Sequence, residues 1–318
     1  VAIRSISPAH LSDLRPLEQE LRLACKHGAD DSAATALKKI QSLLKEYGPA
    51  HPRLLEARLW YFECLLNRDH VAVAESGFTG IRAKANRDTR LHLEATFLLG
   101  VCLLRQRHKD KAKEHFRYVL LHINKIPSAK GRRLLQRTVI EHIEEESLLT
   151  ELIGTDDDKI VPAKIEAQTI LLVTKHEEEI YEAIASALPG KAVYLLQEIR
   201  SDAVLQLPST DRLALPAPEQ ATQPINLGRR AGSVLKKIAW RAICGSDSPI
   251  FQLWSSKAPE IFSAGTLVNA VSTAFHDMRI GIPTLVAGVA AIAMKSSASV
   301  FCDWAKPEPI MGARRKGE

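Results

Sequence analysis

The chain has 318 residues, of which 46% are hydrophobic and 25% charged, with 16 glycines and 16 prolines. That composition excludes a wholly disordered, collagenous or disulfide-scaffold polypeptide, and the length predicts about two domains. The net charge of +6 is entirely C-terminal: residues 227–318 carry 12 Lys and Arg against 6 Asp and Glu, which leaves residues 1–226 neutral. A local positive balance favours acidic partners. Cys25, Cys64, Cys102, Cys244 and Cys302 are odd in number, far apart and never spaced as CxxC. They predict thiols in a reducing compartment and argue against a zinc site. Val1-Ala2-Ile3-Arg4 lacks a signal-peptide pattern, so a cytoplasmic location is expected, with membrane association open to the C-terminal part.

Internal repetition dominates the first half. Ala36, Ala74 and Ala112 recur at a spacing of 38 residues. Each is followed at +4 by Ile40, Phe78 or Phe116, and at +7 by Leu43, Ile81 or Val119, positions that share one face of a helix. A second helix precedes each of these, with Leu23-Ala24, Tyr61-Phe62 and Leu99-Gly100 at equivalent places. Residues 130–153 break the repeat but keep Leu134, Leu135, Val139, Ile143 and Leu149 among charges, as a terminal capping helix does.

Leu99-Gly100 followed by Ala112 and Phe116 resembles the tetratricopeptide pattern L-G…A-x3-F, over roughly residues 15–125. Two features depart from that family. The period is 38 where it is usually about 34, and its helix-A tryptophan position holds Glu20, Arg58 and Thr96. The resemblance implies stacked helical hairpins with a concave face for a protein partner. On that face it places Glu18, Glu56 and Glu94 at one equivalent position, with Glu63 on the same side and Asn67 and Arg105 at another groove position. Too few Lys and Arg lie there for a carboxylate clamp. The same glutamates also read simply as helix-forming residues in water.

Beyond the acidic run Asp156-Asp157-Asp158, short apolar bursts predict a small α/β segment over residues 154–207. Ile170-Leu171-Leu172-Val173 reads as a strand, and Thr174 with Glu177 as a capping box opening a helix through Ile180, Ile184 and Leu188. Ala192-Val193-Tyr194-Leu195-Leu196 reads as a second strand, and 203–207 as a third. The turn Thr174-Lys175-His176 has no glycine-rich loop for a nucleotide. Pro208, Pro216, Pro218 and Pro224 mark a linker over 208–226. The fold class expected is therefore mainly α: a repeat domain over 1–153, the α/β segment, the linker, and a basic helical module over 227–318.

In that module, Ala231, Leu235, Ile238 and Ala242 form an apolar helix face, opposite Arg229, Arg230, Lys236, Lys237 and Arg241. Such a face suits anionic lipid or nucleic acid, or is a solvated side of a packed helix. Residues 280–302 contain one charge, Lys295, and predict an apolar helix from Pro283 to about Trp304. The unbroken apolar run ends at Met294, short of the roughly 20 residues a bilayer crossing needs, so burial under Leu235, Ile238, Leu267, Val271 and Phe275 is expected. Cys302 near Asp303, with His276-Asp277, offers a Cys–His pair only on paper, and its apolar surroundings read as structural. No Walker, HExxH, EF-hand or nucleophile-elbow pattern is present, so no catalytic, cofactor or metal site is assigned. The function expected is that of a non-catalytic adaptor or regulatory subunit gripping a protein partner through the repeats. The alternatives are a membrane-acting effector using 280–302 and a nucleic-acid-binding regulator using the basic module. The oligomeric state is not legible.

Overall fold

The computed structural model describes residues 5–87, 89–155, 161–207, 223–245, 248, 250–252, 264–296, 298–306 and 309–314. Among them every regular element is a helix, and none is a strand. The chain separates into two compact units, one of residues 1–141 with 308–318 and one of residues 142–307.

The first unit is a row of helical hairpins. Helices α1 (Pro8–His27), α3 (Pro52–Asn67) and α5 (Arg90–Arg105) alternate with α2 (Asp30–Leu43), α4 (Val71–Lys84) and α6 (Lys109–His122). The last three are each 14 residues long. Each odd helix packs on the even one that follows, and α1 touches α3 as α3 touches α5, so the odd helices make one layer and the even ones flank it. Ala36, Ala74 and Ala112 are fully buried, as are Ile40 and Phe78, with Phe116 nearly so. The repeat register read from the sequence is thus the packing register. At the +7 position Ile81 and Val119 are buried, while Leu43 is half-buried and Leu44 takes the core place.

Each hairpin turns on the same device. Gly28, Asp69 and Arg107 adopt left-handed φ angles of 72°, 67° and 66°. The N–H groups of the residues that follow, Ala29, His70 and His108, donate to the carbonyls of Ala24, Leu65 and Leu103. This six-to-one bond satisfies carbonyls that a helix end would otherwise leave open. Two of the three αL residues carry a Cβ, which costs conformational energy that glycine avoids.

Helix α7 (Ala129–Leu152) follows, and the division between units falls within it. The second unit then holds α8 (Pro162–Val173), α9 (Glu177–Ser186), α10 (Gly190–Leu205), α11 (Pro224–Cys244), α12 (Ala264–Asp277), α13 (Pro283–Lys295) and α14 (Ala298–Trp304). Its centre is α13, whose residues from Leu285 to Ala293 are all buried against α8, α9, α11, α12 and α14. Leu235, Ile238, Leu267, Val271 and Phe275 share that core, as expected. Arg279 repeats the hairpin device here, at φ 55° with the Ile280 N–H on the Phe275 carbonyl. Lys295 stays exposed and caps α8, its Nζ donating to the carbonyls of Val173 and Lys175 at 2.8 Å each.

Four expectations are corrected. The α/β segment is helical: Ile170 to Val173 end α8, and Ala192 to Leu196, with Ala203 to Leu205, belong to α10. Four apolar residues in succession mimic a buried strand, but in α8 they wind around the helix, leaving Ile170 and Leu171 exposed. The cap of α9 lies two residues later than expected, at His176, whose N–H donates to Glu179 Oε2 at 2.9 Å. The apolar helix is shorter than expected, because α13 stops at Ser296 and α14 is separate. Finally, Cys244 and Cys302 form a disulfide, with Cα atoms 5.6 Å apart and a sequence separation of 58. Spacing cannot reveal a pair brought together only by packing. Of the Pro-rich linker, 208–222 lie outside the described residues, and Pro224 opens α11.

Small residues set the closest helix approaches. A Cβ at Gly100 would stand 2.6 Å from the Phe116 ring, and one at Gly288 would stand 2.7 Å from Ile184. Gly100→Leu is therefore expected to destabilise the first unit by about 1–3 kcal/mol through overpacking, read as a lower urea midpoint. An unchanged midpoint would disprove the register. Reduction of the Cys244–Cys302 bond should lower stability by about 2–4 kcal/mol, because opening a loop of that size restores chain entropy to the unfolded state. Urea titration with and without dithiothreitol measures this, and a Cys244→Ser/Cys302→Ser chain should show no response to the reductant.

Candidate functional site

The odd-helix layer of the first unit carries the expected partner-binding residues, and Glu18, Glu56, Glu63, Glu94 and Arg105 are each held by a neighbour. Arg53 Nη1 donates to both carboxylate oxygens of Glu18 at 3.0 Å. Arg22 Nη2 stands 3.9 Å from Glu18 and 3.7 Å from Glu56, with its guanidinium 5.8 Å above the Trp60 ring. Glu18 and Glu56 are thus joined across α1 and α3 by one arginine. Glu94 is fully buried and accepts from Arg90 Nε at 2.8 Å. Arg105 caps α3 by donating from Nη1 to the Leu66 carbonyl at 2.6 Å, next to half-buried Asn67 at the helix end.

Glu63 differs in what it holds. Its side chain, one turn before the end of α3, accepts the main-chain N–H of Ile310 on Oε1 at 2.5 Å and that of Met311 on Oε2 at 3.2 Å. Glu63 is 3% exposed, and Ile310 and Met311 are 2% and 0% exposed. Two main-chain donors thereby satisfy a buried carboxylate, and a short 3-10 helix, Ile310–Arg314, begins at that contact. The sequence signal was slight: an apolar Ile310-Met311 pair after Pro307 and Pro309, which the prolines alone mark as the end of a helix.

Two thiols lie close by. Cys25 Sγ donates to the Trp60 carbonyl at 3.6 Å and Cys64 Sγ to Asp30 Oδ1 at 3.6 Å. The neighbouring Cys64 thiol, then burial and the charges of Glu63 and Asp30, hold the Cys25 thiol well above its ordinary range. A thiol so placed is a poor nucleophile. Cys302, in its disulfide, carries no thiol for the Cys–His pair considered above. Among the described residues no group of three or more His, Cys, Asp or Glu could hold a metal ion.

His92, on α5, shows the polar detail of this layer. Nδ1 lies 3.2 Å from the Arg82 carbonyl, which can only accept, so that nitrogen carries the proton and Nε2 faces the Tyr118 hydroxyl at 3.5 Å. Burial, first, and the charges of Arg82 and Arg87 lower its pKa, overcoming the opposing pull of the carbonyl bonds.

In the second unit, the face of α11 expected to be basic is largely matched by acids. Arg229 pairs with Glu178 at 3.1 Å, Arg230 with Glu144 at 3.4 Å, and Lys237 with Glu145 at 2.5 Å. Arg200 Nη1 also donates to Glu144 at 2.8 Å, so one buried carboxylate serves two arginines. Lys236 is 7% exposed, with its ammonium 3.0 Å from the centre of the Trp304 ring. Burial pushes its pKa down to about 8, against the opposing charge of Glu177. Arg229 and Arg241 are the exposed members of the set. No helix among the described residues is long and apolar enough to cross a membrane.

No protein-family model, no curated protein and no solved structure matches the chain.

The lowered pKa of His92 fixes a pH dependence. Below the ordinary histidine value of about 6.5 the unfolded chain takes up a proton that the folded chain resists, so this contribution is present above that pH and is lost as pH falls. Urea midpoints at pH 7.5 and pH 5 should differ more for the natural chain than for His92→Gln. Equal differences would show that His92 has no part in the dependence.

Proposed function

We propose that the chain is a non-catalytic adaptor or regulatory subunit whose first unit is a tetratricopeptide-like module that binds a protein partner on the α1–α3–α5 layer. The observation that carries this reading is Glu63, a buried carboxylate that accepts two consecutive main-chain N–H groups from a polypeptide segment seated against α3. Main-chain donors recur in every peptide, so such an acceptor grips a backbone while apolar side chains beside it supply selectivity. The helical hairpins at a 38-residue spacing and the Leu99-Gly100, Ala112, Phe116 pattern support the family resemblance.

Arg53 and Arg22 tie Glu18 and Glu56 across α1 and α3, and Arg90 holds Glu94 within α5, so this reading centres recognition on Glu63 and the residues around it. The alternatives have less behind them. A nucleic-acid reader would need Arg229, Arg230 and Lys237 for phosphates, yet each already faces a carboxylate. A membrane effector would need a span near 30 Å, whereas 13-residue α13 is about 20 Å long and buried on every side. The cytoplasmic expectation rested on the N-terminal residues and, separately, on cysteines read as thiols of a reducing compartment. A Cys244–Cys302 bond removes the second argument, because disulfides persist in oxidising surroundings.

The test is selection of a displayed random-peptide library on the immobilised full chain. Enriched peptides should bind the Glu63→Gln chain at least tenfold more weakly while its circular dichroism is unchanged. Peptides that bind both chains alike would place the interface elsewhere.

A further inference from the structure

We propose that the segment at residues 309–311 is a resident ligand of the Glu63 seat, so that a partner gains this site only by presenting a like segment, an aliphatic pair with two consecutive free main-chain N–H groups, and displacing it. The inference rests on the partner-binding reading above and specifies both the kind of partner and its regulation.

The contact has the character of recognition more than of core packing. Residues 63 and 310 are 247 apart in sequence, and the bonds run from main chain to a side-chain carboxylate, so any segment with the same backbone turn could replace them. The side chains that accompany the backbone are Ile310 and Met311, both buried. Pro309, immediately before them, has no N–H, so the pair of donors begins at Ile310. A partner with charged residues at these two places would have to bury them, and one with proline at either would lose a bond to Glu63. Chemistry thus restricts the ligand to an aliphatic dipeptide within a turn. Tethering gives the resident segment an effective concentration that a free ligand must overcome.

The experiment titrates a fluorescein-labelled synthetic peptide of residues 306–316 onto the full chain, followed by anisotropy. Three chains are compared: natural, Ile310→Asp/Met311→Asp, and that double variant with Glu63→Gln. The opened double variant is expected to bind the peptide at least tenfold more tightly than the natural chain. Glu63→Gln should remove at least tenfold of that gain, and a peptide carrying aspartate at both places should not bind. Thermal melts establish that each chain is folded, and Met311→Ala serves as a milder opening substitution if the double variant is not. Equal affinity for natural and opened chains would overturn the competition while leaving a peptide-binding seat in place. No binding by any chain would overturn the resident-ligand inference. The broader reading then stands or falls separately on whether library-selected peptides depend on Glu63. Light scattering closes the remaining route. A natural dimer that becomes a monomer on Ile310→Asp/Met311→Asp would mean that a second copy fills the seat, which also overturns the inference.

Discussion

Helices can approach one another only as closely as the side chains between them permit, and both units are built at positions where there is almost none. In the second unit Tyr181 and Ile184 of α9 lie against Gly228 and Gly232 of α11 and against Gly288 of α13. A Cβ at Gly228 would fall on the Tyr181 carbonyl itself. In the first, Gly100 receives Phe116 and Gly77 receives Phe62. Large residues opposite absent ones let α13 be enclosed by its neighbours and let the hairpins stack. This is why so apolar a helix as 283–295 is core in this fold.

The charged residues follow from that close approach. Helices brought together also bring their polar residues out of water, and the chain answers with arginine: Arg22 and Arg53 around Glu18, Arg90 on Glu94, Arg200 and Arg230 on Glu144. A planar guanidinium can serve carboxylates on two elements at once, as Arg22 does. The C-terminal excess of positive charge is therefore in part internal compensation. Glu144 and Glu145 lie outside the span over which that excess was counted, so a charge tally by segment separates partners that the fold unites.

What was legible in the sequence was periodic. Ala36, Ala74 and Ala112 with their +4 partners fixed the hairpin register, and the burial of α13 followed from its short apolar run. The strand reading of α10 failed although the helical period was present: Ala192, Leu195, Leu196, Ile199 and Ala203 are its buried face, and the adjacent Val193 and Tyr194 concealed it. Length should have decided, since 16 residues exceed an ordinary strand. The αL turns at Asp69, Arg107 and Arg279 left no trace because no glycine marks them. Neither the disulfide nor the Glu63 seat could be read locally, since each joins residues that only packing makes neighbours.

The distance along the chain between Glu63 and Ile310 also sets a clock. At a separation of 247 positions, and with a ribosome adding about 5–20 residues per second, the helices of the first unit emerge on the order of 10–50 seconds before the segment that seats on them. Every newly made molecule passes through an interval in which Glu63 has no Ile310 or Met311 to accept from. On the proposed competition, the order of synthesis gives a partner first access, before the tethered segment exists.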